Sequence, residues 1–296
     1  MAPKLQGIIA AVPTPMSDDG TKVDYDNIAV HTERLIAAGL HGLVTTGTTG
    51  EFPALTIEEH KNVIKAYVDA AKGRVPVVAG IGCNSTQAAI EMCQYAEKVG
   101  VAACMVVPPF YDPLPFKTLY KFYEDVCASV SVPLMYYNLP GATGVHLTAA
   151  EIRKLGQIKG LDYLKDTSGN AKEQADILTN QTSDITLFNG WDTLTFFSLT
   201  HGAQGVVFAV ASLVPKECVE LWNTITVEKN LEKAREQWKF IWELADFLEG
   251  VNYPAGVKAA LKIIGAPAGG VRAPTLPLED EEVQRLSKIL AKRKFK

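Results

Sequence analysis

Eight short apolar runs recur along the chain, and a longer amphipathic segment separates each run from the next. The runs are continuous rather than alternating, which is typical of parallel strands that are covered on both faces. Strands that alternate with helices eight times favour a parallel sheet closed into an α/β (β/α)8 TIM barrel. An open doubly wound sheet is the main rival, but the chain has no Gly-x-Gly-x-x-Gly turn. The predicted strands are residues 7–13, 42–47, 75–82, 102–109, 132–140, 161–168, 185–190 and 205–210.

The amphipathic segments carry the expected signals of helix ends. Two of them begin with a Ser/Thr-x-x-Glu capping box, at residues 56–59 and 148–151. Gly39 and Gly100 stand where glycine commonly ends a helix. Helices are therefore predicted over residues 27–39, 56–73, 85–100 and 147–158.

The barrel is predicted to occupy residues 1–225, and residues 226–296 are predicted to form a C-terminal helical region. A chain of 296 residues is long enough for one large domain with such an appendage. The helical runs of this region are residues 230–250, 253–265 and 278–294.

Charge and cysteine content exclude several classes of protein. The net charge of −4, without a basic block before the last few residues, argues against a nucleic-acid partner. No window reaches the roughly 18 apolar residues of a membrane span. Five cysteines without a Cys-x-x-Cys pair indicate a reduced protein, and a cytoplasmic location is expected.

The sixth predicted strand ends in Lys165. An ammonium at the end of a buried strand is poorly hydrated, which favours the neutral, nucleophilic amine. The standard use of such an amine is a Schiff base with a carbonyl compound. The structural alternative is a lysine that extends to the rim of the barrel or pairs with Asp162 or Asp166.

The second predicted strand ends in the sequence GTTGE, residues 47–51. Two hydroxyls and several backbone N–H groups in a glycine-flanked turn can bind a carboxylate. The turn is not a P-loop, because no Gly-Lys-Ser/Thr follows. An ordinary turn is the alternative interpretation.

Aromatic residues end two further strands. Tyr136 and Tyr137 are adjacent in the fifth strand, so only one of them can point into the barrel, where a phenol beside a lysine can transfer protons. Phe110 and Tyr111 follow the fourth strand and are predicted to project over the barrel mouth or into a neighbouring subunit. Ordinary core packing is the alternative for each.

These motifs, in this order, resemble those of the dihydrodipicolinate synthase / N-acetylneuraminate lyase family, over nearly the whole chain. The features that carry the resemblance are GTTGE, the Tyr-Asn-x-Pro of YNLPGATG, the lysine of LKDTSGN, and the C-terminal segment KAALKIIGAPAGGVRAPTLPL. The resemblance implies a barrel with a C-terminal helical region, usually assembled as a homotetramer.

The resemblance also implies roles for individual residues. Lys165 would form an imine with pyruvate or another 2-oxo acid, and Tyr137 would be the acid/base phenol. Thr48 would link Tyr137 to Tyr111, and Tyr111 would reach a neighbouring subunit's site. The substrate carboxylate would be held by Thr49 and the backbone around it, from Gly47 to Gly50.

The chemistry of such a site is that of a class I aldolase or lyase. A protonated imine accepts electrons, so that a carbon–carbon bond breaks or a C3 proton leaves. Neither a metal nor a cofactor is predicted, and the expected partners are a 2-oxo acid such as pyruvate and an aldehyde.

Two positions separate this chain from well-known branches of the family. The synthases carry an arginine that holds the carboxylate of aspartate semialdehyde, and Ala142 occupies that position here. The neuraminate lyases carry an Asp-Glu pair after the seventh strand, whereas Asp192 is followed here by Thr193.

The combination of Ala-Thr-Gly and Lys-Asp-Thr looks more like the sugar-acid branch of the family. This resemblance implies an aldolase that acts on 2-keto-3-deoxy sugar acids. The open alternatives are a dehydratase with the same imine, a 4-hydroxy-tetrahydrodipicolinate synthase, a non-catalytic relative that binds 2-oxo acids and, more distantly, a pyridoxal phosphate enzyme. Selectivity for the second part of the substrate is assigned to Thr143, Asp192, Phe208, Ala209 and Ser212. Thr143 and Ser212 have an alternative as turn and helix-cap hydroxyls.

Overall fold

The computed structural model describes residues 4–180 and 185–293. Its eight parallel strands pair in chain order, and the last pairs with the first, so the sheet is a closed barrel. The predicted (β/α)8 architecture is confirmed. The strands are β1 Gly7–Ala11, β2 Gly42–Thr45, β3 Val77–Gly82, β4 Ala103–Val107, β5 Leu134–Asn138, β6 Leu161–Asp166, β7 Thr186–Asn189 and β8 Gly205–Phe208.

Thirteen α-helices lie in the described residues, together with two short 3-10 helices at Phe52–Ala54 and Asp192–Leu194. The helices that follow β1 to β5 are α1 Tyr25–Ala37, α2 Ile57–Ala71, α3 Thr86–Val99, α4 Phe116–Ala128, α5 Pro140–Thr143 and α6 Ala149–Leu155. Those that follow β6 to β8 are α7 Ala171–Thr179, α8 Thr195–Thr200, α9 Val210–Leu213 and α10 Pro215–Thr226. The C-terminal helices are α11 Leu231–Glu249, α12 Tyr253–Ile263 and α13 Asp280–Leu290.

The helix boundaries follow local sequence signals. Both predicted capping boxes are formed, at the starts of α2 and α6. Gly39 and Gly100 have φ angles of 85° and 96°, a left-handed conformation that glycine adopts without a steric penalty. The predicted last helix, 278–294, is shorter at both ends, and residue 294 lies outside the described residues.

The C-terminal helical region packs against the barrel. Helix α10 ends at Thr226 and α11 begins at Leu231, so the proposed boundary at residue 225 falls at the end of α10. The connector after α12 lies on α1, where Asn27 Nδ2 donates to Pro267 O at 2.9 Å. None of the helices in the described part of the chain is long and apolar enough to cross a membrane.

The apolar core has two parts. One packs β1, β2 and β8 against α1, α10 and the C-terminal helices, and the other packs β3 to β6 against α3, α4 and α6. The carboxyl ends of all eight strands meet at one end of the barrel, which is where barrels of this kind carry their sites.

Candidate active site

Lys165 lies inside the barrel mouth. Its side chain is only 5% exposed, and Nζ lies 4.1 Å from the centroid of the Tyr137 ring. Because Tyr137 and Lys165 pair in register between β5 and β6, their side chains leave the sheet on the same face. The structural alternatives for Lys165 do not apply, since it is buried and forms no ion pair among the described residues.

Asp166, the next residue of β6, points to the opposite face. Its carboxylate accepts hydrogen bonds from Asn138 Nδ2 at 2.8 Å and from Gln174 Nε2 at 3.1 Å. Burial raises the pKa of this carboxyl, and the hydrogen bonds from Asn138 and Gln174 oppose that rise. Asp166 therefore fixes the end of β6 from outside the barrel and is not a partner of Lys165.

The structure decides between the two adjacent tyrosines of β5. The Tyr136 ring packs between the barrel and the helices, against Tyr123, and its Oη donates to Asn138 Oδ1 at 3.2 Å. The Tyr137 ring lies under the Lys165 amine, and its Oη is 3.3 Å from Thr48 Oγ1. Tyr137 is thus the phenol that can exchange a proton with a group bound at Lys165.

The turn after β2 forms the wall opposite Lys165, because β2 and β6 are four strands apart in the ring. Thr48 and Thr49 both line the cavity. Among the described residues, no acceptor is found for the backbone N–H groups of these two threonines. A Cβ on Gly50 would lie 2.9 Å from the Thr46 backbone, so this tight turn requires glycine there. Free N–H groups beside two hydroxyls form a concave site for an anion.

Lys165, Tyr137 and the turn enclose a cavity of about 220 Å³. Drug-sized ligands occupy roughly 300–1,000 Å³, so this cavity suits a small metabolite. Its remaining wall is formed by residues of the other strand ends and of α11 and α12: Ala11, Leu139, Thr167, Gly190, Trp191, Asp192, Val207, Phe208, Ala209, Glu249 and Tyr253.

Asp192 lies on the side of the cavity away from the turn. Tyr253, the first residue of α12, donates to Asp192 Oδ2 at 2.5 Å and accepts from the Ala209 N–H at 3.2 Å. Burial raises the pKa of Asp192 to about 7, and the hydrogen bond from Tyr253 opposes that rise. Phe208 and Ala209 complete this side of the cavity.

A second carboxyl group, Glu249, reaches the same wall from the end of α11. Its two oxygens accept from the N–H and the hydroxyl of Thr193, both at 2.9 Å. Partial burial raises the pKa of Glu249. Thr193, the residue after Asp192, is not acidic. Its two hydrogen bonds instead hold the carboxylate of Glu249, from the C-terminal region, in the wall that contains Asp192.

Gly190 provides the space that Lys165 occupies. A Cβ at position 190 would lie 2.7 Å from Lys165 Cε and 2.2 Å from Thr167 Oγ1. The Thr167 hydroxyl is itself buried without a hydrogen-bond partner among the described residues, and Thr167 lines the cavity. This hydroxyl is thus available to a bound ligand.

Gly190→Ala is expected to displace the Lys165 side chain and to lower the rate of imine formation by about 100-fold, since an ångström of misplacement costs roughly that much. The measurement is borohydride trapping of a pyruvate adduct over time. Gly141→Ala is the matched control, because a Cβ there meets no heavy atom within 4 Å. An unchanged trapping rate in Gly190→Ala would show that Lys165 has room to move.

Asp192→Asn is expected to flatten the dependence of the melting temperature on pH. The pKa of Asp192 is raised from 3.8 to about 7, so the folded protein keeps a proton that the unfolded chain releases. The stability from this proton is complete below pH 3.8 and is lost as the pH rises towards about 7. Asparagine does not titrate, so the variant should lose less stability over this range.

The control for this pH experiment is Asp162→Asn, which changes an exposed carboxylate on the outer face of β6. Thermal melts of the three proteins at matched ionic strength give the comparison. Parallel pH profiles for the wild type and Asp192→Asn would contradict the raised pKa.

Five predicted site residues do not line the cavity. Two of them, Gly47 and Gly50, belong to the turn that carries Thr48 and Thr49. The Thr143 hydroxyl donates to Leu139 O at 3.0 Å and accepts from the Val145 N–H at 3.2 Å. The Ser212 hydroxyl donates to Ala11 O at 3.0 Å. The Thr143 hydroxyl therefore serves its own turn and the Ser212 hydroxyl joins α9 to the end of β1, and neither residue lines the cavity. The fifth residue, Tyr111, is 90% exposed, and no hydrogen bond joins it to Thr48 among the described residues.

Sequence reasoning missed Thr167, Gly190, Trp191, Glu249 and Tyr253. Three of them follow the ends of β6 and β7, where a search of every strand end would have found them. Glu249 and Tyr253 stand at the end and the start of C-terminal helices, and nothing local in the sequence connects them to the barrel mouth.

Comparison with known proteins identifies the family of this chain and several relatives in sequence. The sequence profile of the "Dihydrodipicolinate synthetase family" matches residues 4–293. The chain is similar to a 4-hydroxy-tetrahydrodipicolinate synthase of Archaeoglobus fulgidus, with 35% identity over 285 residues, 96% of this chain and 97% of the relative. It is also similar to 4-hydroxy-tetrahydrodipicolinate synthase 1 of Halalkalibacterium halodurans, with 34% identity and 94% of each chain covered.

The fold comparison agrees with the sequence comparison. The crystal structure of the chloride-inhibited dihydrodipicolinate synthase from Acinetobacter baumannii, complexed with pyruvate, superposes with a TM-score of 0.93. The two sequences are 32% identical, and the match covers 97% of this chain and 98% of the other.

Proposed function

Because the chain belongs to the dihydrodipicolinate synthetase family, we propose that it reversibly cleaves a 2-keto-3-deoxy sugar acid to pyruvate and an aldehyde. Enzymes of this family are class I aldolases and lyases that work through a lysine imine. The observation that carries the finer assignment is the charge of the cavity wall. This wall contains one amine beside a phenol, a turn with two hydroxyls across the cavity from the amine, and two carboxyl groups, one after β7 and one at the end of α11.

The reaction begins at Lys165. Its amine, in the neutral form, adds to the C2 carbonyl of the 2-oxo acid. The resulting hydroxyl leaves as water with a proton from Tyr137, so that a protonated imine and a Tyr137 phenolate remain. The phenolate then takes the proton of the C4 hydroxyl, the C3–C4 bond breaks, and its electron pair moves into the imine to form an enamine. The aldehyde leaves, a proton returns to C3, and water hydrolyses the imine to release pyruvate.

Tyr137 is the proposed acid/base in these steps because its hydroxyl is held in the cavity. Thr48 Oγ1 lies 3.3 Å from the Tyr137 Oη and can pass a proton onward or orient the phenol. General acid/base help of this kind contributes about 10²–10⁴-fold to a rate.

The turn at residues 47–50 is the proposed site of the 2-oxo acid carboxylate. Thr49 is buried, both threonines line the cavity, and their N–H groups have no acceptor among the described residues. A carboxylate bound there fixes C1 and leaves C2 directed across the cavity to Lys165. This orientation is the main contribution of the turn, since alignment of the reacting atoms removes much of an activation barrier.

The opposite wall favours a neutral, polyhydroxylated aldehyde. Asp192 and Glu249 accept hydrogen bonds from hydroxyl groups, and Thr167 can donate or accept one. Lys165 is the only cationic side chain among the described residues that line the cavity. A second carboxylate on the substrate would have no cationic partner beside Asp192 and Glu249 among the described lining residues, which is unfavourable in a buried site.

The second candidate function is 4-hydroxy-tetrahydrodipicolinate synthase, because the relatives reported above carry that name. The position at which the resemblance expects the synthase's arginine is Ala142, which is exposed on the short helix α5 and offers no charge. The acidic side of the cavity lacks a replacement for that arginine among the described lining residues.

A product assay distinguishes the candidates. The purified chain is incubated with 2-keto-3-deoxy pentonates, hexonates and rhamnonates, and free pyruvate is measured with lactate dehydrogenase. Pyruvate release supports the aldolase, whereas a deoxygenated 2-oxo acid with the same number of carbons identifies a dehydratase. Pyruvate consumption only in the presence of aspartate semialdehyde identifies the synthase. Imine formation without any turnover identifies a binding relative.

Assembly of this chain into a homotetramer is part of the proposal. Tyr111 is exposed on the loop after β4 and does not line the cavity of its own chain, which supports a contact with another subunit. Sedimentation of the wild type and of Tyr111→Phe, together with their kcat values, tests this: a Tyr111→Phe tetramer with reduced kcat supports a contribution in trans.

A further inference from the structure

The two residues that flank the turn at residues 47–50 have a conformation that L-amino acids avoid. Thr46 and Glu51, neither of them glycine, have φ angles of 51° and 54°. Such left-handed residues persist only where the surrounding structure holds them firmly, and they concentrate at functional sites. The contacts that hold this turn therefore bear on how it binds a ligand.

Hydrogen bonds to the rest of the barrel hold the turn near both of its ends. Thr46 Oγ1 donates to Gly80 O of β3 at 2.9 Å, and Thr14 Oγ1 donates to Gly50 O at 2.7 Å. The Glu51 N–H donates to Thr48 O at 3.0 Å and closes the turn. These bonds fix backbone atoms, and none of them involves the Glu51 carboxylate.

The Glu51 carboxylate is held by the C-terminal region. Lys258 of α12 places Nζ 2.6 Å from Glu51 Oε1, and both side chains are only 3% exposed. Lys258 Nζ also donates to Gly270 O at 2.6 Å, and the Arg272 N–H donates to Glu51 Oε2 at 2.9 Å. Burial lowers the pKa of Lys258, and the charge of Glu51 opposes that change.

Stability alone does not account for this pair. A buried ion pair often contributes no more to stability than apolar residues of the same size, because both charges lose their hydration. Glu51 and Lys258 do not line the cavity, so neither contacts a substrate directly. The pair fixes the position of Glu51, which directly follows the turn.

Helix α12 contacts both the wall of the cavity and the end of the turn. Its first residue, Tyr253, hydrogen-bonds to Asp192 on one side, and Lys258 holds Glu51 on the other. One rigid element thereby sets the spacing between the proposed carboxylate turn and the proposed hydroxyl-binding wall.

We propose that Glu51 and Lys258 are positioning residues, which hold the Thr48–Thr49 turn in the geometry that binds the substrate carboxylate. The inference rests on the proposed function, because it takes this turn as the carboxylate site. It assigns the C-terminal helical region an indirect part in substrate binding, through the position of the turn.

Pyruvate binding and thermal stability, measured separately, test this role. Binding is measured by borohydride trapping at graded pyruvate concentrations, which requires no second substrate. Lys258→Met leaves Glu51 as a buried, unpaired charge and is expected to lower both the melting temperature and the affinity. The double variant Glu51→Gln/Lys258→Met removes both charges, so its melting temperature should return towards the wild type. Its half-saturating pyruvate concentration should stay raised by about 10-fold or more, since the turn is no longer fixed.

The matched control is Glu236→Gln/Lys239→Met, which removes an ion pair of 68% and 70% exposed side chains on α11. This control should bind pyruvate like the wild type. Glu51→Asp is the second test variant: it keeps both charges, so it should fold, but it moves the carboxylate by one methylene and should weaken pyruvate binding.

The outcomes separate the two proposals. A wild type that forms no imine with pyruvate refutes the proposed function itself. A wild type that forms the imine, with a folded double variant or a folded Glu51→Asp that has wild-type affinity, refutes the positioning role alone. Weakened binding in a variant that melts near the wild-type temperature supports the positioning role.

Discussion

Replacing Lys165 with methionine is expected to abolish imine formation with pyruvate and to remove all measurable turnover. Carbon–carbon cleavage requires C2 to be held as a protonated imine, and Lys165 carries the only amine in the described wall of the cavity. The fold should not suffer, because methionine has a similar shape and no partner charge is left behind. Mass spectrometry after borohydride reduction in pyruvate measures the adduct, and the melting temperature should equal or exceed that of the wild type.

Lys65→Met is the control for this experiment, since the Lys65 side chain is 54% exposed on α2. It should retain both the adduct and turnover. A reduced pyruvate adduct at full stoichiometry in Lys165→Met would show that another amine carries the reaction, and the proposed chemistry would fail with it.

Replacing Tyr137 with phenylalanine is expected to lower kcat by about 10²–10⁴-fold, the usual contribution of a general acid or base. The variant keeps the aromatic ring 4.1 Å from Lys165 Nζ and loses only the hydroxyl that contacts Thr48. Imine formation should therefore persist at a reduced rate, while proton transfer in the cleavage step is lost. Borohydride trapping and kcat, measured on the same preparation, separate these two steps.

Tyr136→Phe is the matched control, because it makes the same change at the next residue, on the outer face of β5. Its hydroxyl donates to Asn138, so its loss should cost about 1 kcal/mol of stability and leave kcat near the wild-type value. If Tyr136→Phe and Tyr137→Phe had equal kcat values, Tyr137 would not be the acid/base.

The elements of the fold were predictable because their signals are local. A continuous apolar run marks each strand, and a Thr-x-x-Glu box or a left-handed glycine marks a helix end. Strand ends were less exact: β6 was predicted to extend to residue 168 but ends at Asp166. The Thr167 N–H still donates to Asn138 O at 2.8 Å, but Thr167 follows the last residue pair of β5 and β6 and lines the cavity.

The site was predictable only where one strand end carried unusual chemistry. Alternation along β5 shows that Tyr136 and Tyr137 face opposite ways, but which one faces inward depends on pairing with β6. The resemblance to a family supplied that choice for Tyr137, and the register with Lys165 agrees with it. The hydroxyls of Thr143 and Ser212 could each bind a substrate or bond to the backbone. The structure shows Thr143 bonded to its own turn and Ser212 bonded to Ala11 O, a contact between the two ends of the barrel sequence.

The acidic side of the cavity could not be predicted from the sequence, because its residues lie far apart in the chain. Glu249 and Tyr253 come from α11 and α12, and their places beside Asp192 follow from the packing of the C-terminal helices on the barrel. No periodicity or motif links a helix end to a strand end at such a distance. Contacts that depend on long-range packing of this kind cannot be predicted from a single sequence.

The ring of strands has a consequence for synthesis of the protein. The lysine and the turn that faces it come from β6 and β2, and the sheet closes only when β8 pairs with β1. Tyr253 and Lys258 then follow, later still in the chain. A nascent polypeptide emerging from the ribosome therefore has no partial version of this site. Appearance of activity during translation would report that the penultimate helix has docked.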